Sequence, residues 1–364
     1  MWIAGFLLVL GPLVTLHELG HYLVGRWFGV KADAFSIGFG KELAGWTDRR
    51  GTRWKLSALP LGGYVQFAGD MNPASQPGDL SLRGVPAEER DGYFQTKPLW
   101  QRALIVAAGP VTNFALAIAI LAAFSFAYGK VQVPAIVDQV VEGSAAQEAG
   151  LQPGDRILSA DGDQLEDFLE LRDIVVQNPG EELTLEVERD GDNFAVDFLI
   201  PTVIERDRFG NEFSKGQLGI AAARGEIVPL GPVEAIGEGV RQTGDIVVMM
   251  VNGIRQIVTG LRPIDELGGP VKIAKFSGEQ LSLGWRPFVF FAALISINLG
   301  FINLLPIPGL DGGHLAFYAA EAVRRKPLGR RSQEWAFRTG MAFVIAFMLF
   351  VTINDIASLP VFTG

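Results

Sequence analysis

His17 and His21 stand four residues apart, with Glu18 directly after the first, in the stretch TLHELGHYLV at 15–24. On an α-helix a four-residue step turns about 40°, so both imidazoles leave one face, and Glu18 sits about 100° round from His17. Two neutral imidazoles so placed can bind a metal, and the carboxylate beside them can handle the proton of an attacking water. The surroundings sharpen this reading. Met1 to Val30 is otherwise almost wholly apolar. A carboxylate inside a membrane span costs roughly 2.5–3.5 kcal/mol on insertion scales, so such groups are functional by default. The chain has 3 histidines, two of them here, and no cysteine, which excludes thiolate ligands and disulfides. The bland alternative is a polar cluster bonded within a helix bundle.

Zinc commonly takes a third protein ligand and keeps one position open. Asp311 is the candidate, in NLLPIPGLDGGH at 303–314. Pro306 and Pro308 must break a helix there, and Gly309, Gly312 and Gly313 let the backbone bend. Irregular backbone at membrane depth is tolerated only where it is buried in protein or lines a wet cavity. Asp311 could also cap the helix that follows, and the two roles are compatible. His314, three residues on, points elsewhere and is read as a non-ligand. Two imidazoles, a carboxylate and Zn2+ make a hydrolytic centre in which Glu18 takes the proton of water and returns it to the leaving amine.

The elements that must position these groups are membrane helices. Of 364 residues 49% are apolar and 25 are Phe, too greasy for an average soluble enzyme. Four stretches are long and apolar enough to cross a bilayer. They give a first span at 1–30, a second at 99–130, a third with the Asp motif at 285–318 and a fourth at 335–356. The first lacks a basic leader region and a small-x-small cleavage site, so it reads as a span. Residues 31–98 read as short strands with turn signals, a hairpin sheet dipping toward the membrane or an ordinary β-meander, followed by an exposed loop at 71–98. Residues 131–203 alternate strands and helices. Residues 204–284 are read as a linker and amphipathic helices, with apolar residues at helical spacing over 232–261; a fifth span is the alternative. A basic loop fills 319–334.

Charge is unevenly shared. Between Lys130 and Gly284 stand 27 acidic and 13 basic residues, and the remainder holds 13 and 18. So acidic a centre argues against nucleic-acid binding. The basic connection RRKPLGRR at 324–331 belongs on the cytoplasmic side by the positive-inside rule, which leaves both termini and the acidic centre on the other side.

With His17-Glu18-Leu19-Gly20-His21, GPVTNF at 109–114, FSIGFG and LPLGGYVQF in the hairpin region and ISINLGFINLLPIPGLDGG in the third span, the sequence resembles the site-2 protease family of zinc intramembrane metalloproteases. The likeness is to its bacterial sigma-E-regulating branch. The resemblance implies an α-helical polytopic membrane protein of four transmembrane helices, with a membrane-associated β-hairpin sheet and an inserted α+β PDZ domain, the stretch GSAAQEAGLQPGDRILSADG carrying the latter likeness. It implies His17, His21 and Asp311 as zinc ligands, Glu18 as the catalytic group, and Asn303 and Asn298 as holders of the substrate backbone. Asn113 matches a family position and is read as structural hydrogen bonding. An edge at Gly63, Tyr64 and Val65 could add the unwound substrate as a strand.

The implied activity is cleavage of a single-pass membrane protein within or near its transmembrane helix, usually after another protease has removed the outer domain. Anti-sigma factors of envelope stress signalling and remnant signal peptides are the implied substrates. The implied setting is the lipid bilayer of a bacterial inner membrane, with the PDZ domain periplasmic and the active site toward the cytoplasm. The sequence departs from the tandem-PDZ pattern, because the residues between 203 and 232 cannot hold a second such domain. Two other classes compete: a non-catalytic PDZ membrane adaptor, and a zinc transporter or sensor. An adaptor would have no use for Glu18, and a transporter wants more histidines than the chain has.

Overall fold

The computed structural model describes residues 1–68, 86, 90–165, 167–206, 212–260, 268–326 and 329–357. Most of the loop expected at 71–98 lies outside the described residues. The chain divides into two compact units, one of Met1–Leu121 with Gly268–Asp355, the other of Ala122–Leu267 with Ile356–Gly364.

In the first unit, α1 (Trp2–Trp27) carries the apolar N-terminal stretch and ends before Gly29, whose φ of +77° turns the chain into β1 (Ala32–Thr47). Its partner β2 (Arg53–Phe67) runs antiparallel to it. These are two long strands, not the several short ones expected. Their register shifts repeatedly, so that Phe35 lies opposite both Val65 and Trp54. The turn is organised by Asp48, whose Oδ1 accepts from the amides of Arg50 and Thr52. Its Oδ2 accepts from Trp54 Nε1 at 3.0 Å and Tyr22 Oη at 3.4 Å, tying the hairpin to α1. Tyr22, Val30, Phe35, Val65, Phe67 and Ile105 form the buried cluster beneath it.

Helix α2 (Leu99–Tyr128) is the second apolar span. The third span is split as its prolines require: α7 (Trp285–Leu304) stops, and α8 (Asp311–Arg324) begins after Gly309 at φ +104°. Helix α8 runs past the expected limit of 318, and α9 (Arg330–Ala357) starts before 335, so the basic loop is shorter than 319–334. Preceding them, α6 (Pro270–Leu283) crosses α1 closely: a Cβ on Gly5 would sit 2.7 Å from the carbonyl carbon of Ser277. Small residues permit that approach in a membrane bundle. The buried Asp355 accepts from the amides of Gly269, Val271 and Lys272, satisfying donors that the start of α6 would otherwise leave open.

The second unit holds the α+β domain. A four-stranded antiparallel sheet runs in the order β6 (Asp163–Gln164), β5 (Arg156–Ala160), β7 (Glu182–Arg189), β8 (Asp192–Leu199). Strand β7 alternates buried and exposed residues, as one packed face demands. Two helices accompany the sheet, α3 (Ala145–Glu148) and α4 (Phe168–Gln177), the latter N-capped by Asp167. Strand β3 (Lys130–Gln132) pairs with β12 (Glu226–Val228), β9 (Thr202–Arg206) with β10 (Glu212–Gly216), and β4 (Val137–Val140) with β11 (Ile220–Ala222).

The domain limit expected at 203 therefore moves. Leu218 is buried in the same cluster as Ile157, Leu171 and Leu185, so part of the supposed linker completes the domain. Helix α5 (Pro232–Val258) follows. It is amphipathic, with Val233, Ile236, Val240, Val251, Ile254 and Val258 exposed, and it is not among the four helices of the described residues that are long and apolar enough to span.

Candidate metal centre

The three residues singled out for their ligand atoms meet. His17 and His21 come from the same face of α1, with rings edge-on at 4.8 Å between centroids and Nε2 atoms 3.2 Å apart. Asp311, the first residue of α8, brings Oδ2 to 3.1 Å from His17 Nε2 and 3.5 Å from His21 Nε2. One ligand atom from each lies within 4.8 Å of the others. The capping role open to Asp311 is not taken: Leu310 occupies the N-cap position, with no side-chain cap bond. His314 is not part of the group.

The electron count favours a cation. His21 Nδ1 lies 2.8 Å from the Ile105 carbonyl oxygen, an acceptor, so Nδ1 carries a proton, and in the neutral ring Nε2 is left with the lone pair. Asp311 Oδ2 is buried with no hydrogen-bond partner. With both rings neutral and protonated at Nδ1, ring lone pairs and a carboxylate oxygen would converge here, a donor arrangement that a bound Zn2+ would satisfy. Two nitrogens and one oxygen are the donor set of a catalytic zinc site. Room for it comes from α2. Gly109 faces both rings; a Cβ there would overlap His21 Nε2 and stand 2.7 Å from His17 Nε2.

Glu18 lies half-buried beside the group and interacts electrostatically with His17, His21 and Asp311. Its Oε2 accepts from the Val65 amide at 3.2 Å. A Cβ on Gly63 would be 3.7 Å from Glu18 Cγ, so β2 passes alongside the carboxylate at the segment expected to take substrate. The Tyr64 ring stacks on Phe39, centroids 6.0 Å apart. Of the two asparagines of the third span, Asn303 donates to the Leu299 carbonyl at 3.0 Å, and Asn298 is half-buried on α7. A five-residue step separates their directions by about 140°. Sequence reasoning did not assign the Ile105 carbonyl or the gap at Gly109. GPVTNF marked the place, but not what it does.

A helical membrane bundle with a convergent His, His and Asp group and a neighbouring glutamate defines a multi-pass membrane metallohydrolase. The comparisons narrow that class. Peptidase family M50 matches residues 5–347, and the chain belongs to this family. A protein of Agrobacterium fabrum named as a zinc metalloprotease is 47% identical over 363 residues, covering 98% of this chain and 96% of the relative. Another so named, from Rhizobium meliloti, is 44% identical over 357 residues, covering 96% and 95%. Metalloprotease MmpA of Caulobacter vibrioides is 37% identical over 385 residues, covering 99% and 96%. Among solved structures, the PDZ domain of an SdrC-like protein from Listeria monocytogenes is similar to part of the chain at 20% identity, covering 26% of this chain and 88% of that one. Its TM-score is 0.20. The protein is a zinc metalloprotease with four candidate membrane helices among the described residues.

Proposed function

We propose that this metalloprotease cuts single-pass membrane proteins within or near the transmembrane segment, with His17, His21 and Asp311 as zinc ligands and Glu18 as general base and acid. The carrying observation is the meeting of two imidazoles from the apolar helix α1 with the carboxylate at the start of α8, beside a strand whose Val65 amide already binds the Glu18 carboxylate. When bound, zinc supplies Lewis acidity toward the scissile carbonyl and toward water. Glu18 takes the proton of the attacking water and delivers it to the leaving nitrogen. A peptide bond is open to attack only where the substrate helix has unwound, and its freed N–H and C=O groups then need partners in a dry place. Gly63, Tyr64 and Val65 offer a strand edge for that purpose, and the asparagines of α7, Asn303 and Asn298, offer side-chain amides in two different directions, so a single substrate strand meets one of them at a time.

Substrates of this description are anti-sigma factors and remnant signal peptides, trimmed beforehand by another protease. The bacterial inner membrane is the setting, with the basic 324–331 connection cytoplasmic and the acidic domain and both termini periplasmic. Cleavage of a tagged, trimmed single-pass substrate by the purified protein in detergent tests the proposal. Glu18→Gln is expected to keep its zinc and lose about 10²–10⁴-fold in rate. If wild type and variant both bind zinc and neither cuts any of several such substrates, a membrane adaptor or metal sensor takes the place of this reading.

A further inference from the structure

Asn113 lies on α2 with no exposed surface, and its amide is used by nothing above. Its backbone carbonyl accepts from Ser296 Oγ at 2.8 Å, fixing this turn of α2 against α7. Its side-chain Nδ2 stands 3.0 Å from His17 Nδ1, and its Oδ1 is buried with no hydrogen-bond partner. A buried amide oxygen without a donor is rare and costly.

We propose that Asn113 is a positioning residue for zinc: its amide oxygen accepts the Nδ1 proton of His17 and so keeps the Nε2 lone pair on the metal. The inference rests on His17 being a ligand through Nε2, the nitrogen that faces Asp311 and His21. A neutral imidazole has one proton, so a ring ligating through Nε2 carries it on Nδ1 and needs an acceptor there. Half a turn of the carboxamide exchanges its nitrogen for its partnerless oxygen at the position facing Nδ1. His21 is served in the same way by the Ile105 carbonyl. Ile105, Gly109 and Asn113 recur every four residues, so one face of α2 presents an acceptor, a gap and an acceptor to the two rings. That orientation of ligand rings from behind is worth about 10–100-fold in metal affinity at zinc sites.

The test is zinc affinity of the full-length protein in detergent, read by competition with a chromogenic chelator, together with the visible spectrum of the cobalt-loaded form. Asn113→Leu removes the acceptor; Asn113→Asp keeps one in the same place. The leucine variant is expected to bind zinc about 10–100-fold more weakly with an altered cobalt spectrum, and the aspartate variant to bind at least as tightly as wild type. Wild-type affinity and spectrum in Asn113→Leu would overturn the proposal. So would an equal loss in Asn113→Asp with its thermal unfolding intact, which decides the matter even where the leucine variant fails to fold. A parallel His17→Ala sample separates the two levels: undiminished affinity there removes His17 as a ligand, and the proposal with it.

Discussion

A glycine sets how closely the two imidazoles of the proposed metal site approach α2. His17 and His21 lean on α2 at Gly109, where a methyl group would drive both rings from their positions. Gly109→Ala is therefore expected to weaken zinc binding and to lower cleavage by about 10²-fold, since misplacing a reacting group by ~1 Å costs that much. Circular dichroism should report unchanged helix content. Zinc affinity and cleavage at wild-type levels in that variant would remove the packing role. The imidazole pair and Glu18 stood out through their spacing together with the apolar helix that carries them, because three polar side chains there have few bland explanations. Gly109 and the Ile105 carbonyl were not. One acts by lacking a side chain and the other through its backbone, and neither leaves a residue type to read.

At the scale of elements, broken helix α7–α8 was legible because proline and glycine act locally, through a missing N–H and a positive φ. The domain limit was not, because its closing strand β11 pairs with β4 only after the β9–β10 hairpin intervenes. Helix α5 shows a further device. Its polar side chains hold the α+β domain: Arg241 reaches Glu170 at 3.2 Å, Arg255 reaches Glu181 at 3.0 Å, and Gln256 Nε2 donates to the Gln177 carbonyl. Glu238 binds Arg241 and lies near Lys130. Burial works against its charge, but the hydrogen bonds from Arg241 and Gln242 and the charges of Arg241 and Lys130 outweigh that and bring its pKa down to about 2. A folded pKa below the ordinary 4.5 means the contribution is complete above about 4.5 and is lost as pH falls through about 2. Hydrogen exchange, corrected for intrinsic rate, is expected to show α5 losing protection across that window in wild type and much less change in Glu238→Gln. Protection independent of pH in wild type would contradict the clamp.

On the scale of the whole molecule, the first unit joins Met1–Leu121 to Gly268–Asp355, two segments that Ala122–Leu267 of the second unit separates in sequence. The candidate site draws on both segments, α1 supplying two imidazoles and α8 the carboxylate. Apolar run lengths and the split charge made this plan readable, because a bilayer imposes coarse rules on composition. Side-chain distances were beyond such rules, since they depend on how helices α1, α2 and α8 pack. The measurement that bears most directly on the account is zinc binding by the purified full chain, as wild type, His21→Ala and Asp311→Asn, joined to X-ray absorption at the zinc edge. A single zinc with two imidazole nitrogens and a carboxylate oxygen, lost or greatly weakened in both variants, is what the account predicts. Zinc held by Asp311→Asn at wild-type affinity and with an unchanged absorption spectrum would contradict it.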